Sequence, residues 1–230
     1  MNAKSLLYAA IAACHAVAIA LSIGATTEAA IIADLRNTGL DSLGNYIATH
    51  GTPDGNYTML SAPAAYPAVT VDDTTWPISP NGPWLINNPG SRWIGPNANS
   101  NGIGGPYVYR TTFNLPANAI LSTVNISGLW ATDDPGTDIV INGNSTGQTS
   151  LGFTAFAPFS VTSGFVIGLN TLDFHVLNAF PGQLNPTGLR VDRIVGTYQV
   201  PEPASACIAG GAILFSACWH RRRRPAVRST

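Results

Sequence analysis

The 230-residue chain is 45% hydrophobic and only 10% charged, with Gly at 23 positions and Pro at 17; this excludes a disordered polyelectrolyte and a Lys/Glu-rich helical bundle. The net charge of −1 hides a segregation, because residues 31–200 hold five arginines against ten aspartates and no lysine, so nucleic acid is not an expected partner. Cys14, Cys207 and Cys218 all lie in apolar terminal segments, which leaves the middle without a disulfide framework or a cysteine-ligated metal.

In chain order, Lys4 precedes an Ala-, Leu- and Ile-rich run from Leu6 to Ile23, followed by the small residues of Ala25-Thr-Thr-Glu-Ala-Ala30. This pattern is that of a secretory signal peptide over 1–30, with signal peptidase cleavage expected between 25 and 30. Residues 31–199 are expected to form one domain, best defined over 76–199. Ile31–Tyr46 offers a short helix or an irregular lead-in. Short β-like runs then follow at Asn56–Leu60, Pro67–Val71, Trp84–Asn87 and Ser91–Gly95, separated by Gly-, Pro- and Asn-rich loops.

From Tyr107 a period of two sharpens: Tyr107, Tyr109, Thr111, Phe113 and Leu115 share one face of a half-buried strand. Further strands are expected at 119–128, 137–142, 157–162, 170–178 and 187–200. In the last of these the apolar set changes parity between Val191 and Ile194, which a β-bulge near Asp192 would reconcile. Asp134-Pro135-Gly136 and Asn142-Gly143-Asn144 specify tight turns.

Four segments in this half, Tyr109-Arg-Thr-Thr-Phe113, Trp130-Ala-Thr-Asp-Asp134, Asp138-Ile-Val-Ile-Asn-Gly143 and Gly168-Leu-Asn-Thr-Leu172, resemble the galactose-binding-like modules of glycoside hydrolases and bacterial surface proteins. The resemblance covers roughly residues 76–199 and implies an all-β fold, an antiparallel jelly-roll β-sandwich. Many such modules are scaffolds, so the fold alone does not imply a ligand.

Three sets of side chains are candidates for chemistry. Asp133, Asp134 and Asp138, with turn carbonyls, can supply an oxygen cage for a structural Ca²⁺, or can act as turn formers that accept local N–H bonds. Trp76, Trp84, Trp93 and Trp130 could each fill a sandwich core, which is the favoured reading for any one of them; Trp76 and Trp84, beside prolines in loops, are the better candidates for exposure and stacking on a sugar ring. Arg110 and Arg190 interrupt apolar strands and are expected to pair with Asp138, Asp173 or Asp192. No cofactor is expected. Catalysis finds little support: His50 and His175 are the histidines of the middle, there is no Glu or Cys, and a glycoside hydrolase would have to draw on two aspartates.

The C-terminus runs Pro201-Glu202-Pro203, then uncharged residues from Ala204 to Trp219, then His220 and Arg221, Arg222, Arg223 and Arg224. The prolines hold the peptide extended and remove two N–H donors, which suits a protease. Ala206–Trp219 as a helix reaches about 21 Å against a hydrocarbon core of roughly 30 Å, so a membrane helix over 204–219 is marginal, and the arginine cluster orients it with the tail cytoplasmic. This order closely resembles the PEP-CTERM sorting signal over 200–224, followed by a tail at 225–230. The resemblance implies an exosortase as partner, a transient anchor in the inner membrane, and release to the cell surface or extracellular matrix in a bacterium that makes exopolysaccharide. The expectation is therefore an exported, non-catalytic surface or matrix protein, with a carbohydrate-binding module for polysaccharide as the alternative and a glycoside hydrolase behind it.

Overall fold

The computed structural model describes residues 27–79 and 81–202. The expected membrane helix over 204–219, Pro203 and Arg221–Arg224 lie outside these residues, as does the expected signal peptide apart from 27–30. Among the described residues no helix is long and apolar enough to cross a membrane. Ala29–Gln199 form one compact unit. Pro201 and Glu202, both exposed, are the described part of the Pro-Glu-Pro motif.

All regular structure in the described residues is β. The strands are β1 (Thr27–Ile31), β2 (Thr58–Ser61), β3 (Val69–Thr70), β4 (Ile94–Gly95), β5 (Asn101–Ile103), β6 (Gly105–Leu115), β7 (Ile120–Asp133), β8 (Gly136–Ile141), β9 (Asn144–Ser145), β10 (Ala157–Val161), β11 (Gly168–Asn178), β12 (Leu184–Pro186) and β13 (Gly188–Pro201). One sheet runs β10-β7-β13-β4-β3, with β1 also paired to β13, and a second runs β2-β6-β11-β8-β9. The ladders along both paths are antiparallel. β5 and β12 form a separate two-stranded ribbon.

Alternation builds the interior. Along β6, Tyr107, Tyr109, Thr111, Phe113 and Leu115 are buried while their neighbours are not, as the period of two requires. Tyr107, Tyr109, Phe113 and Leu115 meet Trp130 and Phe159 of the facing sheet in one apolar cluster. Phe174 of β11 is central, with its ring 5.8 Å from that of Trp130 and 5.7 Å from that of Phe159. The β13 register shifts between Asp192 and Val195, so a bulge does return the apolar side chains to the inner face. Val191 before it and Ile194 within it are both buried.

A second apolar layer lies on the other side of β7. Trp130 points into the sandwich, so its neighbour Ala131 points out, and there it joins Val71, Ile78, Trp84 and Trp93. The long excursion between β3 and β4 thus folds back over its own sheet.

In the first hundred residues one alternative is decided and one expectation needs correction. Ile31–Tyr46 is the irregular lead-in and not the short helix, because Gly39 and Gly44 adopt positive φ of 73° and 87°, and Asp41 takes the N–H groups of Leu43 and Asn45 into a side-chain-closed turn. Trp84–Asn87 is not a strand, since the N–H of Trp84 goes to Pro77 and that of Leu85 to Phe153 rather than into a ladder. The polar stretch before Tyr107 contains β5. Truncation of the side chain that unites the sheets, Phe174→Ala, is expected to cost about 3–5 kcal/mol, read as a lower urea midpoint with an unchanged slope.

Candidate ligand cleft

Two arginines fasten the β3–β4 excursion. Arg190 stands opposite Ala131 in the β13–β7 ladder and so projects onto the outer face, yet it is completely buried. A buried guanidinium requires acceptors. It donates Nε–H to Ser91 Oγ (2.9 Å) and Nη1–H to the carbonyl of Ile86 (2.7 Å), and it lies 5.0 Å from the ring centroid of Phe156. Burial pulls its pKa down to about 10, opposed by the charge of Asp192. The expected aspartate pairing is therefore corrected for Arg190, whose hydrogen bonds go to backbone and hydroxyl oxygens. It holds for Arg110, which forks onto both carboxylate oxygens of Asp173 at 2.6 and 2.7 Å.

Arg92, also fully buried, ties a second loop in place. It donates to the carbonyls of Ile47, Ala48 and Val71 and lies 5.1 Å from the centroid of Tyr46. Gly39 is required beside it, since a Cβ there would sit 1.8 Å from Arg92 Cγ.

Between the loops so anchored lies a cleft of about 410 Å³, lined by Tyr46, Asp73, Ser79, Ile86, Asn87, Asn88 and Pro89. Among these, the Asp73 carboxylate gathers the hydrogen bonds. Oδ2 accepts from the Tyr46 hydroxyl and from Asn87 Nδ2, each at 3.0 Å, with Arg92 Nη2 at 3.9 Å. Burial raises the Asp73 pKa, but the bonds from Asn87 and Tyr46 and the charge of Arg92 outweigh it and hold the group below its ordinary value. Its other oxygen faces His50 Nε2 at 3.2 Å, and His50 Nδ1 faces Asp72 Oδ1 at 2.9 Å.

The proposed sites fall in different places. Trp76 is 59% exposed, as expected, on the turn between Asp73 and Ser79. Trp84 is 2% exposed, which overturns its place as a surface platform. Its ring lies against Trp93, with centroids 4.3 Å apart, and its indole N–H bonds Asp133 Oδ2 at 2.8 Å. The cover comes from β7 and from Phe153 and Phe156, all remote in sequence.

Asp133, Asp134 and Asp138 are not brought together as a ligand set. Asp133 receives Trp84, Asp134 Oδ2 receives the backbone N–H of Ala179 and Asn185 Nδ2, and Asp138 Oδ1 receives the N–H of Gly147. Among the described residues the one group of three potential metal-ligating side chains is instead His50, Asp72 and Asp73. No local spacing announces that group; the antiparallel return of Gly51–Pro53 along Val69–Thr70 creates it.

No protein-family model matches the chain, and no curated protein gives a significant match. Among solved structures it is similar to a mutant of a family 29 carbohydrate binding module (8% identity, 75% of this chain and 92% of that one, TM-score 0.36). It is also similar to a family 35 carbohydrate binding module from Clostridium thermocellum (13%, 62% and 87%, TM-score 0.28) and to one from Paenibacillus barcinonensis (15%, 63% and 98%, TM-score 0.29).

Buried Asp133 sets a pH test. Desolvation, then the neighbouring Asp134 charge, raises its pKa to about 7, and desolvation raises Asp54 to about 6. A carboxyl whose folded pKa lies above its unfolded value binds more protons when folded, so the domain loses stability as pH rises from about 4 to 7. Asp133→Asn, which can still accept from Trp84 through its amide oxygen, is expected to flatten the fall of melting temperature across that window.

Proposed function

We propose that this chain is an exported surface or matrix protein, sorted by an exosortase, whose sandwich is a non-catalytic carbohydrate-binding module of the galactose-binding-like jelly-roll kind. The observation that carries the binding reading is the make-up of the cleft. Tyr46, Ile86 and Pro89 offer apolar surface to the C–H face of a sugar ring, while Asp73, Asn87, Asn88 and Ser79 surround it with hydroxyl-binding groups. Asp73 is already oriented by Tyr46 and Asn87, so little ordering is needed when a ligand arrives. Trp76 adds an exposed indole on the same excursion.

The sorting reading rests on the C-terminal order of Pro201-Glu202-Pro203, apolar residues and Arg221–Arg224. Signal peptidase at the N-terminus and exosortase at the C-terminus would be the processing partners. The membrane would hold the protein only between those steps, and polysaccharide outside the cell would be the ligand. The acidic, lysine-free middle suits neutral glycan better than nucleic acid.

A glycan array probed with the wild-type protein and with Tyr46→Ala, Asn88→Ala and Trp76→Ala tests the binding reading. Binding weakened about tenfold or more by Tyr46→Ala, in protein whose melt is still cooperative, is the expected outcome. Absence of binding to every glycan would leave a structural matrix protein. The sorting reading predicts separately that Glu202→Ala, expressed with an exosortase, stays unprocessed and membrane-associated.

A further inference from the structure

Beside the cleft, His50 has a carboxylate oxygen at each ring nitrogen: Nδ1 is 2.9 Å from Asp72 Oδ1, and Nε2 is 3.2 Å from Asp73 Oδ1. A neutral imidazole has one N–H and one lone pair. With the proton on Nδ1 and donated to Asp72, Nε2 turns its lone pair on a carboxylate oxygen, a contact between two acceptors that only positive charge between them makes favourable. The nearby donors do not relieve it. Tyr46 and Asn87 bond the other oxygen of Asp73, the Arg92 guanidinium is 3.9 Å from that same oxygen, and the N–H and hydroxyl of Thr74 bond Asp72 Oδ1.

One ligand atom from each of His50, Asp72 and Asp73 lies within 4.8 Å of the others. The histidine side chain is 31% exposed and Asp73 27%, open enough for an ion to enter and half shielded from water. The loops that carry them are held independently, His50 by the bond of the adjacent Gly51 N–H to Thr70, Asp72 by its N–H to Ala98, and Asp73 by its contacts with Tyr46 and Asn87. The three loops are therefore brought side by side without an ion.

We propose that His50, Asp72 and Asp73 form a binding site for a divalent transition-metal ion of the zinc type. His50 Nε2, Asp73 Oδ1 and an oxygen of Asp72 would be the ligands, with water completing the coordination. Imidazole with two carboxylates is a borderline nitrogen and oxygen set that suits Zn²⁺. Three protein donors, one of them nitrogen, are a poor match to the six to eight oxygens that Ca²⁺ takes. Ligand distances of roughly 2.0–2.2 Å require the three atoms to draw together, so the Asp72 carboxylate would turn from His50 Nδ1 and Thr74 towards an ion on Nε2. The proposal does not depend on what occupies the cleft.

The test is calorimetric titration of the full-length chain, free of any histidine tag and in mild detergent, with ZnCl₂, alongside thermal melts in Zn²⁺, Ca²⁺ and Mg²⁺. One zinc per chain and a rise in melting temperature with Zn²⁺ alone are expected. His50→Ala and Asp72→Asn should each weaken binding at least tenfold, while His175→Ala leaves it unchanged. Melts of the metal-free variants separate loss of ligand from loss of fold, and His50→Gln provides a variant closer in size. Absence of zinc heat in the wild type would overturn the proposal and leave an imidazolium held between two carboxylates. Zinc binding retained in folded His50→Ala would overturn it equally, by placing the ion on other groups.

Discussion

Arg190 is the constraint on which the outer half of the molecule depends. The β13–β7 register turns it away from the sandwich interior, and the layer above excludes water from it. A guanidinium in that position is tolerable only if oxygen atoms are brought to it, and they come from Ser91, Leu85 and Ile86. These are residues of the excursion between β3 and β4. The need to satisfy one buried cation therefore fixes where a long, mostly irregular segment lies, and Ile86–Pro89 line the cleft as a result.

Arg92 repeats the device. Its donors go to Ile47, Ala48 and Val71, so loops with no regular secondary structure are held by main-chain carbonyls converging on a side chain. Thr38 adds a third tie. Its hydroxyl donates to the Arg92 carbonyl and accepts the N–H of Val191, joining the lead-in segment to both β13 and the excursion. In a chain rich in Gly, Pro and Asn, such side-chain-to-backbone bonds do for the loops what ladder bonds do for the sheets.

Legibility in the sequence follows the range of the interactions. The alternation of Tyr107–Leu115 reports a half-buried strand because adjacent residues alone decide it, and the parity change around Asp192 reports a bulge for the same reason. The exposure of Trp84 was not readable. Pro83 next to it signals a loop, but the cover over its ring comes from β7 and from Phe153 and Phe156, whose proximity no local pattern encodes. Arg110 and Asp173 sit opposite each other in the β6–β11 ladder, so their pairing follows from strand order. Arg190 has no carboxylate opposite it and finds carbonyls instead. The aspartates of Asp133–Asp138 look alike in sequence, yet each is taken by a different donor once the strands are assembled.

By itself the sequence determined the all-β class, the positions of the long strands, the cysteine- and lysine-free acidic middle and the sorting-like order of the C-terminus, because composition, a period of two and local order are properties of neighbouring residues. Tertiary structure alone decided that Trp84 is buried, that Tyr46, Asp73 and Asn87 meet in a cleft, and that His50 lies between Asp72 and Asp73. Each of these joins segments remote along the chain, and they become neighbours only when antiparallel pairing and two buried arginines hold the loops against the outer face of the sandwich.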